Sequence, residues 1–305
     1  MSYSVAQVFV CLFMASVVEA QILLSTDGQA RVRARYGYGF TVSWTPEFRD
    51  IQLLGPDGTK RWVKNVTIPE VDRVTIIDAA ICPDGSVTLA TSLLSSVKGI
   101  VAANLHLTAD GKVERVVRTS PFAAMRLACT VSGKLWLVGR ESVGEDFTEA
   151  ADYDVIRRYD HMGKLEASGV RRSAFGSANV HPGADAFMVA DGEDVMLISP
   201  AIGRIVSLSA KTLVISSGIV SKPEGCSFIS GAAQVGPRIV LSCERMRSED
   251  QQTRGKGLLA VLDRATGQLL RTVDWPEPVA VFGSDASQAV LYQKNPVRLV
   301  RAQVD

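Results

Sequence analysis

Short runs rich in Val, Ile and Leu alternate with glycine-containing turns along almost the whole chain. Outside the N-terminus no window much longer than about ten residues keeps apolar side chains at i, i+3, i+4 and i+7, so the pattern speaks against a helical domain. Leu93 to Val97 and Phe147 to Asp152 are the stretches that could hold a helical turn. Asp57-Gly58, Asp84-Gly85 and Asp110-Gly111 are strong hairpin dipeptides, because a tight turn needs positive φ at little cost. Ser132-Gly133, Met162-Gly163, Ile202-Gly203 and Thr266-Gly267 can serve the same purpose.

The turns sort into two interleaved series. One reads apolar run, turn, then Lys, Arg or Gln before more Leu or β-branched residues, as in "IQLLGPDGTKRWVKNV", "ANLHLTADGKVERVV", "VIRRYDHMGKLEASG", "VMLISPAIGRIVSL" and "LAVLDRATGQLLRTV", with turns near 57, 110, 162, 202 and 266. The other, including "IIDAAICPDGSVTLAT" and "MRLACTVSGKLWLVG", is centred near 84, 132, 184, 235 and 285. Two hairpins per roughly fifty residues make one four-stranded antiparallel sheet per repeat. A lone sheet of that width cannot bury both faces, whereas radial stacking does so and leaves short edges. The expected fold is all-β, a β-propeller of four-stranded blades. Six blades is the preferred number, with five and seven open. The first stretch ("QARVRARYGYGFTVSW") and the last ("VRLVRAQVD") are expected to share a sixth blade that closes the ring.

The hairpins "VIRRYDHMGKLEAS" and "LAVLDRATGQLLRT" resemble the outer hairpins of six-bladed propellers of the NHL-repeat and gluconolactonase-like kind, where a strand ending in Asp precedes a Gly turn and a Lys or Gln. The likeness covers most of the chain as pattern and implies fold more than function. For the gluconolactonase-like kind it implies a divalent metal in the central channel, held by carboxylates or amides near the starts of the innermost strands. The matching positions carry Asp78, Arg126 and about Ser177, with Asn179 and Glu224 nearby. An arginine aimed at a cation is repelled, and the set departs from a cage of hard oxygen ligands.

Val5 to Val18 is apolar apart from Gln7, Cys11 and Ser16, and Val18-Glu19-Ala20 suits a signal peptidase. Residues 1–20 are therefore read as a signal peptide cleaved before Gln21, and 21–305 as one propeller domain, although nothing basic precedes the apolar run. Fourteen helical residues span about 21 Å, short of a ~30 Å hydrocarbon core, and no later run is long enough to cross. A transmembrane helix and a buried first strand are the alternatives. Secretion or a periplasmic location follows if the signal functions. With 33 Lys and Arg against 32 Asp and Glu, the net charge of +1 offers no electrostatic case for nucleic acid.

His106, His161 and His181 fall at different hairpin ends by this reading, and the chain lacks the motifs HExxH, GxSxG and a phosphate loop. Cys226 and Cys243 flank one predicted hairpin and can pair as a disulfide; two small buried residues is the alternative. Cys82 and Cys129 occupy matching places in adjacent repeats and are expected to pack in the core near the channel. Arg31, Arg33 and Arg35 share one strand face and are read as blunting an exposed edge. The loops joining second to third strands open at the same end as the loops joining blades. Two of them are long and charged: 140–154, with Glu141, Glu145, Asp146, Asp152 and Asp154, and 244–256, with Arg245, Arg247 and Arg254. The expected role is a non-catalytic binding scaffold that holds a protein or surface glycan on this loop-rich end, without a cofactor. The alternative is a hydrolase or lactonase with Ca²⁺ or Zn²⁺ in the channel.

Overall fold

A computed structural model describes Ala15–Val18 and residues 33–304 apart from 46–48, 98, 144–147, 176–180, 185, 201–203, 210–214, 220–222, 225, 246–255, 286 and 295–296. The chain forms six antiparallel sheets arranged as a six-bladed propeller. A first strand, β1 (Ala15–Val18), is followed by blade 1 with β2 (Arg33–Gly37), β3 (Phe40–Trp44), β4 (Asp50–Leu54) and β5 (Lys60–Asn65). Blade 2 holds β6 (Arg73–Ile81), β7 (Val87–Ser95), β8 (Gly99–Leu107) and β9 (Val113–Arg118). Blade 3 holds β10 (Phe122–Cys129), β11 (Leu135–Val143), the short β12 (Thr148–Glu149), β13 (Asp154–Tyr159) and β14 (Leu165–Arg171). Blade 4 consists of β15 (Phe187–Asp191), β16 (Asp194–Ser199), β17 (Arg204–Leu208) and β18 (Ile215–Ile219). Blade 5 consists of β19 (Cys226–Val235), β20 (Arg238–Arg245), β21 (Gly257–Asp263) and β22 (Leu269–Trp275). Blade 6 has β23 (Val279–Asp285), β24 (Gln288–Lys294) and β25 (Val297–Gln303), and β1 pairs with β25 as its fourth strand.

Within each blade the first strand lines the axis and the fourth lies at the rim. First-to-second and third-to-fourth connections lie at one end, the turn end; second-to-third and blade-joining connections lie at the other, the loop end. Aspartates set several turns: Asp57 accepts from the Thr59 N–H and hydroxyl, Asp84 from those of Ser86, and Asp263 from those of Thr266. The apolar cores lie at the seams between blades. In the seam of blades 1 and 2, for example, Trp44, Ile51 and Leu53 pack with Ile76, Leu89 and Leu105.

Several local expectations are corrected. The stretch "QARVRARYGYGFTVSW" belongs to a complete blade 1, because β3 pairs onward with β4 and β5; the closing strand is β1. It lies inside the segment read as a leader, and the cleavage position after Ala20 is outside the described residues. In blade 4 the turn near 202 joins the second and third strands, and the first hairpin turns at Gly192-Glu193 instead of near 184. In the sequence, 209–214 carries no Asp-Gly signal, so Ile202-Gly203 is the stronger local signal although it falls between the second and third strands. Leu93 to Ser95 stay in β7, Thr148–Glu149 form β12, and the short helical turn is Arg172–Phe175.

Candidate functional site

At the turn end the central channel holds a hollow of about 310 Å³ reached by all six innermost strands. Its wall is largely small or apolar, with Ala79, Ala128, Ala190, Ala232 and Gly283 among the lining residues. Asp78, only 2% exposed, is held from two neighbouring blades: Arg35 donates Nε and Nη2 to Oδ1 at 3.1 and 3.0 Å, and the Leu127 N–H donates to Oδ2 at 2.9 Å. Arg33 also reaches the next blade, donating to Ile77 O at 2.8 Å. The cations of β2 therefore stitch innermost strands together and do not serve a solvent-facing rim; Arg31 lies outside the described residues. Tyr38, at φ 52° in the β2–β3 turn, donates from its hydroxyl to Cys129 O at 2.7 Å, reaching from blade 1 to blade 3. Burial pushes its pKa up to about 12.

Among the described residues, the other channel candidates, Arg126 and Glu224, do not join Asp78. The Arg126 guanidinium donates to Ala186 O and Met125 O, both at 2.6 Å. Glu224 is exposed in the connection before β19, and Ser177 and Asn179 lie outside the described residues. Among the described residues no group of three His, Cys, Asp or Glu is placed to hold a metal. Of the cofactor alternatives, a Ca²⁺ or Zn²⁺ ion would thus have Asp78 as its first carboxylate, and that carboxylate already answers three N–H donors.

At the loop end, much of the charge of 140–154 is answered within blade 3. Glu141 accepts from Arg157 Nη2 at 2.7 Å, while the same guanidinium lies 4.1 Å over the Phe122 ring. Asp152 accepts from Arg171 Nε at 3.1 Å and from the Ser173 N–H; Asp154 accepts from the Ser168 hydroxyl. Glu145, Asp146, Arg247 and Arg254 lie outside the described residues, and the backbone of Arg245 ends β20. Beneath this loop runs a buried chain. The Gly183 N–H donates to His181 Nδ1 at 2.9 Å, His181 Nε2 meets the Tyr153 hydroxyl at 2.8 Å, and Tyr153 donates to Glu149 Oε1 at 2.6 Å. Burial lowers His181 to a pKa of about 4, so the ring is neutral at pH 7. With Nδ1 accepting, Nε2 carries the proton and donates to Tyr153. Burial raises the Glu149 carboxyl, but the hydrogen bonds from Tyr153 and Arg172 outweigh it and hold the group below its usual range. The chain anchors β12, which extends blade 3 by pairing with Ser142 and Val143 of β11.

A second concavity lies elsewhere. A cleft of about 440 Å³ opens at the turn end between blades 2 and 3, within the range of small-molecule sites. His106 and His161, which the turn pattern sent to different hairpin ends, both line it. Cys82 lines it too, bonded to Cys129 across the two blades with Cα atoms 5.2 Å apart. The expected core cysteines are thus buried and also joined, because the ends of β6 and β10 bring equivalent positions of adjacent blades together. Cys226 and Cys243 are joined as well, at 5.4 Å between Cα atoms. They are not opposite in register: two bulges in β19 set Cys226 against Arg245 and Ile229 against Cys243.

No family model matches the chain, and neither does any curated protein. Solved structures do match. A Thermus thermophilus protein described as a putative oxidoreductase (glucose dehydrogenase) superposes with a TM-score of 0.54 at 13% identity, covering 95% of this chain and 99% of that one. A luciferin-regenerating enzyme gives 0.54 at 10% identity, covering 96% and 95%, and U3-55K gives 0.52 at 12%, covering 94% and 84%. What is shared is the propeller fold. The likeness to six-bladed propellers of the NHL-repeat and gluconolactonase-like kind holds at that level, and at such identities these matches assign no chemistry.

Proposed function

We propose that the chain is an exported, non-catalytic propeller that holds a protein or surface-glycan partner on its loop end. The observation that carries this reading is the exposure of large apolar side chains there: Val97 at 87%, Ile100 at 45%, Val143 at 52% and Phe228 at 45%. Such side chains in loops on a rigid scaffold favour contact with a partner. The channel supports the non-catalytic part, because Asp78 is occupied by Arg35 and the Leu127 N–H. The two disulfides support export, since thiols stay reduced in the cytosol. Cleavage after Ala20 would remove β1 and leave the edge of β25 open, so N-terminal sequencing of the native protein reports which closure is used.

The test is capture from the native envelope fraction with the wild-type chain and with Val97→Asp/Val143→Asp. A partner held by the wild type and lost by the variant is expected. Absence of any partner, together with turnover of a small ester or lactone and stoichiometric metal by elemental analysis, overturns the reading.

A further inference from the structure

The registers of blades 1 and 2 can be laid over each other. Val42 pairs with Leu53, Trp44 with Ile51 and Leu53 with Trp62 in blade 1. Thr88 pairs with His106, Ala90 with Asn104 and His106 with Arg115 at the same places in blade 2. Of five positions that are apolar and buried on the face blade 1 turns to its neighbour, Ala90 keeps that character on the face blade 2 turns to blade 3, and four become Thr88, Asn104, His106 and Arg115. The opposing wall, from blade 3, presents the apolar Leu135 and Tyr159 beside the turn residues Ser132, Asp160 and His161. A cleft of about 440 Å³ with polar side chains where blade 1 packs apolar ones has room for a small molecule.

Asn104 supplies a second, independent observation. It lines the cleft at 4% exposure, and its carbonyl oxygen has no hydrogen-bond partner. A buried amide oxygen left so is costly, and a hydroxyl donor would satisfy it. His106 sits above it, with Nδ1 3.2 Å from the Thr88 hydroxyl and Nε2 3.6 Å from Glu114. Asp84, Glu114 and Asp160 outnumber the Arg115 guanidinium around the opening, which disfavours an anion.

We propose that this cleft binds an uncharged saccharide, its hydroxyl edge toward Asn104, His106 and Arg115 and its C–H face toward Tyr159 and Leu135. The site goes beyond the loop-end reading: it opens at the opposite end, so partner capture and sugar binding fail separately.

Titration calorimetry of the full chain with D-glucose, D-galactose, N-acetyl-D-glucosamine and their β-1,4 disaccharides tests it, with adenosine and tryptamine as planar comparators. Saturable binding of at least one sugar is expected. It weakens at least about tenfold in Arg115→Trp and in Asn104→Ile, which install blade 1's own residues, since a lost hydrogen bond to a buried group is worth that much. On the wild type, the same sugar at saturation slows carbethoxylation of His106, whose side chain is 24% exposed, as read by mass spectrometry; this arm holds even if a variant fails to fold. Absence of binding by every sugar, binding indifferent to both folded variants, unchanged modification of His106, or titration by the heterocycles alone overturns the proposal.

Discussion

Two neighbouring seams of this propeller solve the same packing problem differently. Between blades 1 and 2 the indole of Trp62 lies on the third-to-fourth strand turn of blade 2: its Nε1 donates to Ala109 O at 2.9 Å, and a Cβ on Gly111 would come within 2.7 Å of the ring. Between blades 2 and 3 the same register position is Arg115, which donates to His161 O at 2.8 Å, a carbonyl in the corresponding turn of blade 3. The backbone contact is kept while the filler is not. The first seam is closed by apolar area; the second is stapled by Cys82–Cys129 at its inner end and left open outside. A blade interface can therefore give up part of its core for a polar cleft when a covalent link takes over some of its cohesion.

Trp62→Ala would break the comparison most severely. Trp62 is 8% exposed, and truncating so large a side chain against a glycine turn should cost about 3–5 kcal/mol in denaturant unfolding. Replacing Cys82 and Cys129 together by Ser removes a link between residues 47 apart in sequence and should lower stability by about 2–4 kcal/mol. Adding reductant to the wild type should act in the same direction, together with any effect of the Cys226–Cys243 bond.

Acid should find the polar seams before the apolar ones. His181, in the connection between blades 3 and 4, faces Glu149, Arg172 and Arg140 and has a folded pKa of about 4 against an ordinary 6.5. A depressed folded pKa means that stability is complete above about 6.5 and lost as pH falls toward 4. Unfolding measured across that window should lose up to about 3 kcal/mol from this residue, and His181→Asn should flatten the slope. His106, also lowered by burial, adds in the same direction. The smallest effect is expected for Arg115→Trp, which brings the first seam's indole to the matching position of the second. Its stability should stay within about 1 kcal/mol of the wild type, a change in thermal midpoint that calorimetry resolves.

The hairpins at Asp57-Gly58, Asp84-Gly85 and Asp110-Gly111 were legible because their signals are local: a glycine at positive φ (77°, 80° and 78°) and a side chain that caps its own turn, Asp57, Asp84 and, in the third, Thr108 held by Asp110. The phase of blade 4 is not legible in this way, because the sequence between its third and fourth strands carries no Asp-Gly pair. The channel set was legible only as positions. Arg35 reads as an edge cation until β6 is placed beside β2, and only then does it become the partner of Asp78. A signal for the cleft was present in the chain: laid over blade 1's Ile51, Leu53 and Trp62, the residues Asn104, His106 and Arg115 are polar where apolar ones are due. It needed the register to be seen.

From its alternation of β-branched runs and turn residues, the chain by itself determined an all-β repeat of four-stranded sheets, because strand pleat and tight turns depend on neighbours a few residues away. The tertiary structure decided which faces meet, which strand closes the ring, which cysteines bond across blades and where a cleft stays open. Those outcomes depend on side chains far apart in the sequence, brought into contact only when blades pack around a common axis.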